Sequence, residues 1–142
     1  MQLAFTEAEA AAGRQEVPVG AVIVHDGKVI AQQGNRVEAD HDPTAHAEML
    51  AIRQATALLG TSRLTEADLY VTLEPCAMCA AAISHARIHR VFFAAYDPKG
   101  GAVDHGPRFF SQPTCHHAPE VVGGMDEQRA AQMLKDFFSA RR

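Results

Sequence analysis

The 142-residue sequence lacks any apolar run long enough to cross a membrane. A membrane-spanning helix needs about 20 consecutive apolar residues, and the strand-like run Val17–Val24 is far shorter than that. Residues 1–16 also lack the basic and then apolar order of a secretory signal. We therefore expect a soluble, cytoplasmic protein with no membrane partner.

The sequence also lacks a cysteine framework. It holds three cysteines, an odd number that cannot pair completely. Two of them form the pair Cys76-x-x-Cys79, and without a secretion signal this spacing indicates metal or redox chemistry rather than disulfides. Cys115 lies far from both in the sequence.

The sequence also has no excess of basic over acidic residues. The net charge is −4, with 47% apolar and 21% charged residues, a composition typical of a soluble globular domain. Proteins that bind nucleic acid nonspecifically are usually basic, so the charge argues against a general polyanion binder. The net charge does not exclude a local basic patch. The candidate residues for such a patch are Arg87, Arg90, Lys99, Arg108, Arg141 and Arg142.

The chain has no internal repeat, low-complexity tract or linker. Its length fits one ordinary domain with a real core, so we expect a single domain over residues 1–142.

Periodicity and turn residues give the order of the elements. Helices are predicted over Leu3–Arg14, Ala45–Leu59, Cys76–Ala86 and Met125–Ala140, and strands over Val17–Val24, Lys28–Gln33, Asp68–Leu73 and Arg90–Ala95. The second helix is apolar on most sides, which is typical of a buried helix. Residues 97–119 form a long loop rich in Gly, Pro and His. The sequence does not decide whether a further strand lies near the end of this loop. This order predicts an α/β fold, a three-layer α/β/α sandwich with a central mixed sheet.

Two short segments carry the candidate chemistry, His46-Ala47-Glu48 and Pro75-Cys76-Ala77-Met78-Cys79. Each begins a predicted helix. Cys76 and Cys79 are three residues apart and share a helix face. His46 and Glu48 point about 200° apart on an ideal helix, so they converge only beyond its end. Two helix N-termini that meet there would bring together one nitrogen and two sulfurs.

This set of atoms suits a catalytic zinc ion. Three protein ligands leave a tetrahedral zinc one open position for water, whereas structural sites are closed. The positive ends of the helix dipoles favour thiolates. Glu48 is not needed as a ligand, and it can take the proton of the water and deliver it to a ring nitrogen and a leaving amine. We expect one Zn²⁺ per chain.

Two alternatives remain at this point. A redox pair would need a thioredoxin-like setting, and a structural zinc would need a fourth ligand such as Cys115, His116 or His117. A structural zinc would make Glu48 and the proline before Cys76 coincidental, so the combined pattern favours catalysis. The histidines of residues 103–117 also raise the hypothesis of a second metal, although surface histidines on a loop are the commoner case.

The order H-x-E followed by P-C-x-x-C is the signature of zinc deaminases of nucleobases. Longer segments resemble the bacterial tRNA-specific adenosine deaminases; they are 16–24, Gly34-Asn35-Arg36, 42–48, 69–79, 95–101 and 136–138. The resemblance implies a cytidine-deaminase-like fold and a homodimer. It also implies hydrolytic conversion of adenosine to inosine at the wobble position of a tRNA anticodon.

The resemblance further implies the roles of individual residues. His46, Cys76 and Cys79 match the zinc ligands, Glu48 the proton shuttle and Asn35 a residue that bonds the flipped purine. The N–H of Ala47 would lie near the site of attack, and Val17, Pro18, Leu73 and Asp97 match positions that line the pocket or the anticodon loop. Asn35 in Gly-Asn-Arg and Asp97 before a proline are also ordinary turn residues.

Two other functions compete with RNA editing. Deamination of a free base or nucleoside, such as guanine, adenine or cytosine, would need no basic surface, and the charge of −4 slightly favours it. A structural zinc protein would bind a partner and catalyse nothing.

Overall fold

The structure is a computed structural model and describes residues 1–141. Its helices are α1 (Gln2–Gly13), α2 (Ala47–Leu59), α3 (Ala77–His85) and α4 (Glu127–Ser139). Its strands are β1 (Gly20–His25), β2 (Lys28–Gly34), β3 (Ala67–Leu73), β4 (Arg90–Ala95) and β5 (Glu120–Gly123). A short 3₁₀ turn covers Phe109–Ser111.

The strands form one mixed sheet in the order β2-β1-β3-β4-β5. β1 pairs antiparallel with β2 and β3, while β3, β4 and β5 run parallel. Asp26 and Gly27 connect β1 to β2 with φ angles of 56° and 72°. Two positive φ angles are what a tight two-residue hairpin turn requires, and glycine adopts them without strain. The two strands predicted before and after this turn therefore form a hairpin.

Helices cover both faces of the sheet. Alternate strand residues such as Ile23, Val71 and Phe93 pack with α2 and α3 in the larger core. On the other face, Phe5 of α1 and Ala130 of α4 form a second cluster with Ala94. This alternation follows from the two-residue period of a strand. The three-layer α/β/α sandwich with a mixed sheet is confirmed.

The first strand begins at Gly20 and not at Val17 as the apolar run suggested. Val19 donates its N–H to the carbonyl of Val17 at 2.8 Å, which folds the segment into a local turn outside the sheet. At Gly20 a Cβ atom would lie 1.9 Å from the carbonyl oxygen of Ala4, so only glycine lets α1 cross this closely. Val17 and Val19, which precede Gly20, instead line the cavity described below.

The burial predicted for α2 holds on one side of the helix only. Ala47, Ala51 and Ala55 are buried against the sheet, whereas Leu58 is 65% exposed. The helix is amphipathic in its packing, and its leucines do not all enter the core.

The long stretch 97–119 contains only the 3₁₀ turn, and β5 follows it. β5 pairs with β4 in parallel register, with Val91 opposite Val121. The further strand left open by the sequence therefore exists. Across residues 1–141 no helix is both long enough and apolar enough to span a membrane.

Candidate active site

His46 and Cys76 stand at the N-caps of α2 and α3, where both residues have extended backbone angles. The two helix starts meet at the ends of β2 and β3, so their first turns face one point. There the Nδ1 atom of His46 lies 3.6 Å from the Sγ atom of Cys76 and 3.6 Å from that of Cys79. The convergence expected from the sequence is present.

The three ligand atoms fit a tetrahedral zinc ion. They all lie within 4.8 Å of one another. Bonds of about 2.1 Å to nitrogen and about 2.3 Å to sulfur separate such ligands by roughly 3.6 Å in tetrahedral geometry. The observed nitrogen–sulfur distances match this value, so the side chains are already arranged for the metal.

The electrostatics of the cluster suit thiolate ligands. Hydrogen bonds from Cys79 and His46 lower the pKa of Cys76 to about 4 despite its partial burial. Contact with Cys76, followed by burial, raises the pKa of Cys79. The lowered pKa of Cys76 favours its thiolate form, which the helix N-termini also stabilise.

Glu48 lies in the first turn of α2 with only 4% of its surface exposed. Burial raises the pKa of this carboxyl above its ordinary value. It lines the same cavity as His46 and Cys76. A buried carboxyl with a raised pKa is suited to accept a proton and return it.

Asn35 connects the loop after β2 to α2. Its Oδ1 atom accepts the backbone N–H of Ala47 at 2.8 Å. Its own N–H donates to the carbonyl of Val19, and its carbonyl accepts from Arg14. Asn35 is 8% exposed and lines the cavity. The structure thus gives Asn35 a contact within the fold that the sequence did not suggest.

A cavity of about 580 Å³ opens above this cluster. Of the residues expected to touch substrate, Asn35, Val17, Leu73 and Asp97 line it. Pro18 and Ala47 do not line it; both are buried, and the Ala47 N–H donates to Asn35. Cys79 is fully buried and does not line the cavity.

Several lining residues were missed by the sequence-based interpretation. Glu16 and Glu74 are buried carboxylates at the wall, and Phe137 and Arg141 come from the last helix and the residues after it. The guanidinium of Arg141 stacks on the Phe137 ring, 3.3 Å from its centroid. Glu74 directly precedes Pro75-Cys76, and this position in the sequence could have identified it as a site residue. Arg141 had been named only for its charge.

The histidine-rich loop does not form a second metal cluster within residues 1–141; the group with metal-ligand spacing there is His46, Cys76 and Cys79. His105 pairs with Glu74, and His117 contacts the carbonyl of Ile88. Cys115 contacts Ser84 and does not join the cluster as a fourth ligand. The open three-ligand arrangement therefore favours the catalytic interpretation over a closed structural zinc.

Comparison with known proteins agrees with this geometry. The family described as the cytidine and deoxycytidylate deaminase zinc-binding region matches residues 1–95, which defines the class. Within that class, the chain belongs to the tRNA-specific adenosine deaminases. The protein of that name from Agrobacterium fabrum is 60% identical over 142 residues, covering 100% of this chain and 93% of its own.

Two solved structures share the fold. One, from a study of A-to-I editing by tRNA:A34 deaminases at the wobble position of transfer RNA, has 61% identity and a TM-score of 0.93. The match covers 94% of this chain and 97% of the chain in that structure. A guanine deaminase from Bacillus subtilis has 34% identity and a TM-score of 0.67, covering 99% of this chain and 90% of its own. The cytidine-deaminase-like fold expected from the sequence is confirmed.

Proposed function

We propose that this enzyme converts adenosine to inosine at the wobble position of a tRNA anticodon by hydrolytic deamination. The observation that carries this proposal is that buried Glu48 lines the same cavity as His46 and Cys76, which form one three-ligand group with Cys79. The 60% identity to a tRNA-specific adenosine deaminase supports the substrate.

The reaction consumes water and releases ammonia. His46, Cys76 and Cys79 would hold one zinc ion, which when bound supplies a Lewis acid that makes water a nucleophile near neutral pH. Glu48 accepts a proton from the attacking water and passes it to the purine ring nitrogen. It then helps transfer a second proton to the amine, which leaves as ammonia.

The target base must leave its stack to reach Glu48, because the cavity encloses its reacting groups. The apolar side chains of Val17 and Leu73 would contact the faces or edges of the purine. Asn35 would hydrogen-bond the base from the loop after β2. Asp97 lines the cavity from the other loop and would contact the base or its neighbours. Pro18 would line the pocket or contact the anticodon loop, and the N–H of Ala47 would lie near the site of attack.

Cationic side chains near the cavity suit an RNA backbone despite the net charge of −4. Arg141 lines the cavity, and Lys99 is exposed in the turn beside Asp97. Arg142, named with them from the sequence, lies outside the described residues. Arg90 is instead paired with Asp68 at 2.6 Å, so it is less suited to phosphates.

The rival function is deamination of a free base. The guanine deaminase of Bacillus subtilis shares the fold at lower identity, and the acidic net charge suits a neutral substrate. The test compares purified zinc-loaded enzyme on an anticodon stem-loop with wobble adenosine and on guanine, adenine and cytosine, by ammonia release. We expect release from the stem-loop alone. Efficient turnover of a free base with an untouched stem-loop would refute the proposed substrate.

The assembly and location of the enzyme belong to the same proposal. Residues 1–142 would act as one domain and as a cytoplasmic homodimer, without a membrane partner. The small side chains of α3, such as exposed Ala77 and half-buried Ala81, permit close approach of a second copy. Sedimentation equilibrium tests the dimer, and a mass of one chain at micromolar concentration would contradict it.

A further inference from the structure

Glu74 is a carboxylate without solvent access, placed between the end of β3 and Cys76. The exposed fraction of its side chain is 0%. Its Oε1 atom accepts the N–H of Asp97 at 3.0 Å and lies 2.8 Å from Nδ1 of His105. Its Oε2 atom accepts three more backbone N–H groups, those of Val103, Asp104 and His105.

All these donors belong to one segment, residues 97–105, which we call the 97–105 loop. One further backbone bond ties it to the same strand end, and another closes a turn inside the loop. Ala102 donates to the carbonyl of Pro75 at 2.9 Å, and Gly101 donates to that of Asp97. A Cβ atom on Gly101 would lie 2.5 Å from the Glu74 carboxyl, so the loop packs directly on this group. The carboxylate is the centre around which the loop folds.

The 97–105 loop is also part of the cavity wall. Asp97 and Gly100 line the cavity, as does Glu74 itself. A carboxylate that only stabilised the fold could satisfy its oxygens anywhere. Here each acceptor atom fixes the backbone of the loop that faces the substrate.

We propose that Glu74 is a positioning residue for deamination, which holds the 97–105 loop so that Asp97 and Gly100 face the substrate. This inference rests on the proposed deaminase function. Glu74 does not touch the reacting atoms; it acts through the backbone of Asp97.

Glu16 shows the same arrangement at another loop. Its carboxylate is 2% exposed, lines the cavity, and accepts the N–H groups of Glu38 and Ala39 at 3.0 and 2.8 Å. Two wall loops are thus each held by a buried carboxylate. This repetition at one cavity supports a role in shaping the wall.

The substitution Glu74→Gln separates positioning from folding. The amide nitrogen can donate to a neutral His105 ring, and its oxygen can still accept from residues 103–105, which leaves the N–H of Asp97 without its acceptor. We expect the KM for an anticodon stem-loop to rise about tenfold, with kcat within about twofold, as for one lost hydrogen bond. Zinc should stay at one ion per chain.

A second measurement uses the protein alone. Hydrogen exchange of the Asp97 amide should be at least about tenfold faster in Glu74→Gln, while the amides of Leu69 and Val71 within β3 keep their rates. If the parent enzyme were inactive on every stem-loop, the proposed function would fail, and the Asp97 exchange rate would still decide the role of Glu74.

The control is Asp68→Asn, which weakens the ion pair with Arg90 at the opposite end of β3. We expect a lower melting temperature at most, with an unchanged KM and unchanged Asp97 exchange. A Glu74→Gln enzyme with lower stability but parental KM and Asp97 exchange would overturn positioning and leave Glu74 a structural residue.

Discussion

The Oδ1 atom of Asn35 accepts the N–H of Ala47 at 2.8 Å, which links the loop after β2 to the first turn of α2. The first N–H groups of a helix have no partner inside the helix, so this bond satisfies one of them. His46 and Glu48 flank Ala47 directly. Asn35 therefore fixes the backbone between the two residues to which we assign metal binding and proton transfer.

We expect Asn35→Ala to lose both stability and activity. Loss of a helix-capping bond typically costs about 1 kcal/mol, which corresponds to a fall of about 4 °C in the melting temperature. Loss of a hydrogen bond to a buried base should lower kcat/KM by about tenfold to a hundredfold. Calorimetry and stem-loop kinetics measure the two effects.

The matched control is Gln33→Ala, two residues earlier in β2, where the side chain bonds Gln54 at the exposed surface. It should keep the parental kcat/KM. An Asn35→Ala enzyme with full activity would remove Asn35 from the proposed substrate contacts.

Cys76→Ala should reduce both zinc content and thermal stability, because it removes a ligand and metal binding contributes to folding. Cys115→Ala is the control, since Cys115 lies outside the three-ligand group. Metal analysis by mass spectrometry should give about one zinc per chain for the parent and the Cys115 variant and far less for Cys76→Ala. Equal zinc in all three proteins would contradict the assigned ligands.

Glu48→Ala should keep about one zinc per chain while turnover falls by at least about a hundredfold, since general acid–base groups contribute about 10²–10⁴-fold. The exposed Glu66→Ala serves as control and should be as active as the parent. Loss of zinc in Glu48→Ala would make Glu48 part of the metal site and would refute its role in proton transfer.

Stem-loop affinity should fall between low and moderate salt, because Lys and Arg contacts to phosphate release counterions. Arg141→Gln and Lys99→Gln should each weaken binding to all loop sequences and flatten the salt slope by about 0.7. Arg63→Gln, beyond the far end of α2, is the control and should bind as the parent does. An affinity that does not change with salt concentration would argue for a small neutral substrate.

Much of the metal site could be predicted from the sequence because its residues lie in two short segments. His46, Cys76 and Cys79 are set by the starts of two helices, so local spacing alone predicted their convergence. The cavity walls depend on contacts across the fold. Glu74 binds residues 23 to 31 positions later, and no periodicity reports such a contact.

The errors in the elements have a similar cause. Val17–Val19 is apolar like a strand, yet Val17 and Val19 line the cavity, so hydrophobicity there reflects the site and not the sheet. Leu58 lies on the helix side away from the sheet, and its 65% exposure follows from packing that a single sequence does not encode. β5 is only four residues long and gave a weak pattern.

The position of inosine within the RNA tests the central claim most directly. An anticodon stem-loop with adenosine at the wobble position and at a second loop position is incubated with the zinc-loaded enzyme, digested and analysed by mass spectrometry. We expect inosine at the wobble position and unchanged adenosine at the other. Inosine at both positions, or at neither while free guanine or cytosine is deaminated, would contradict the account.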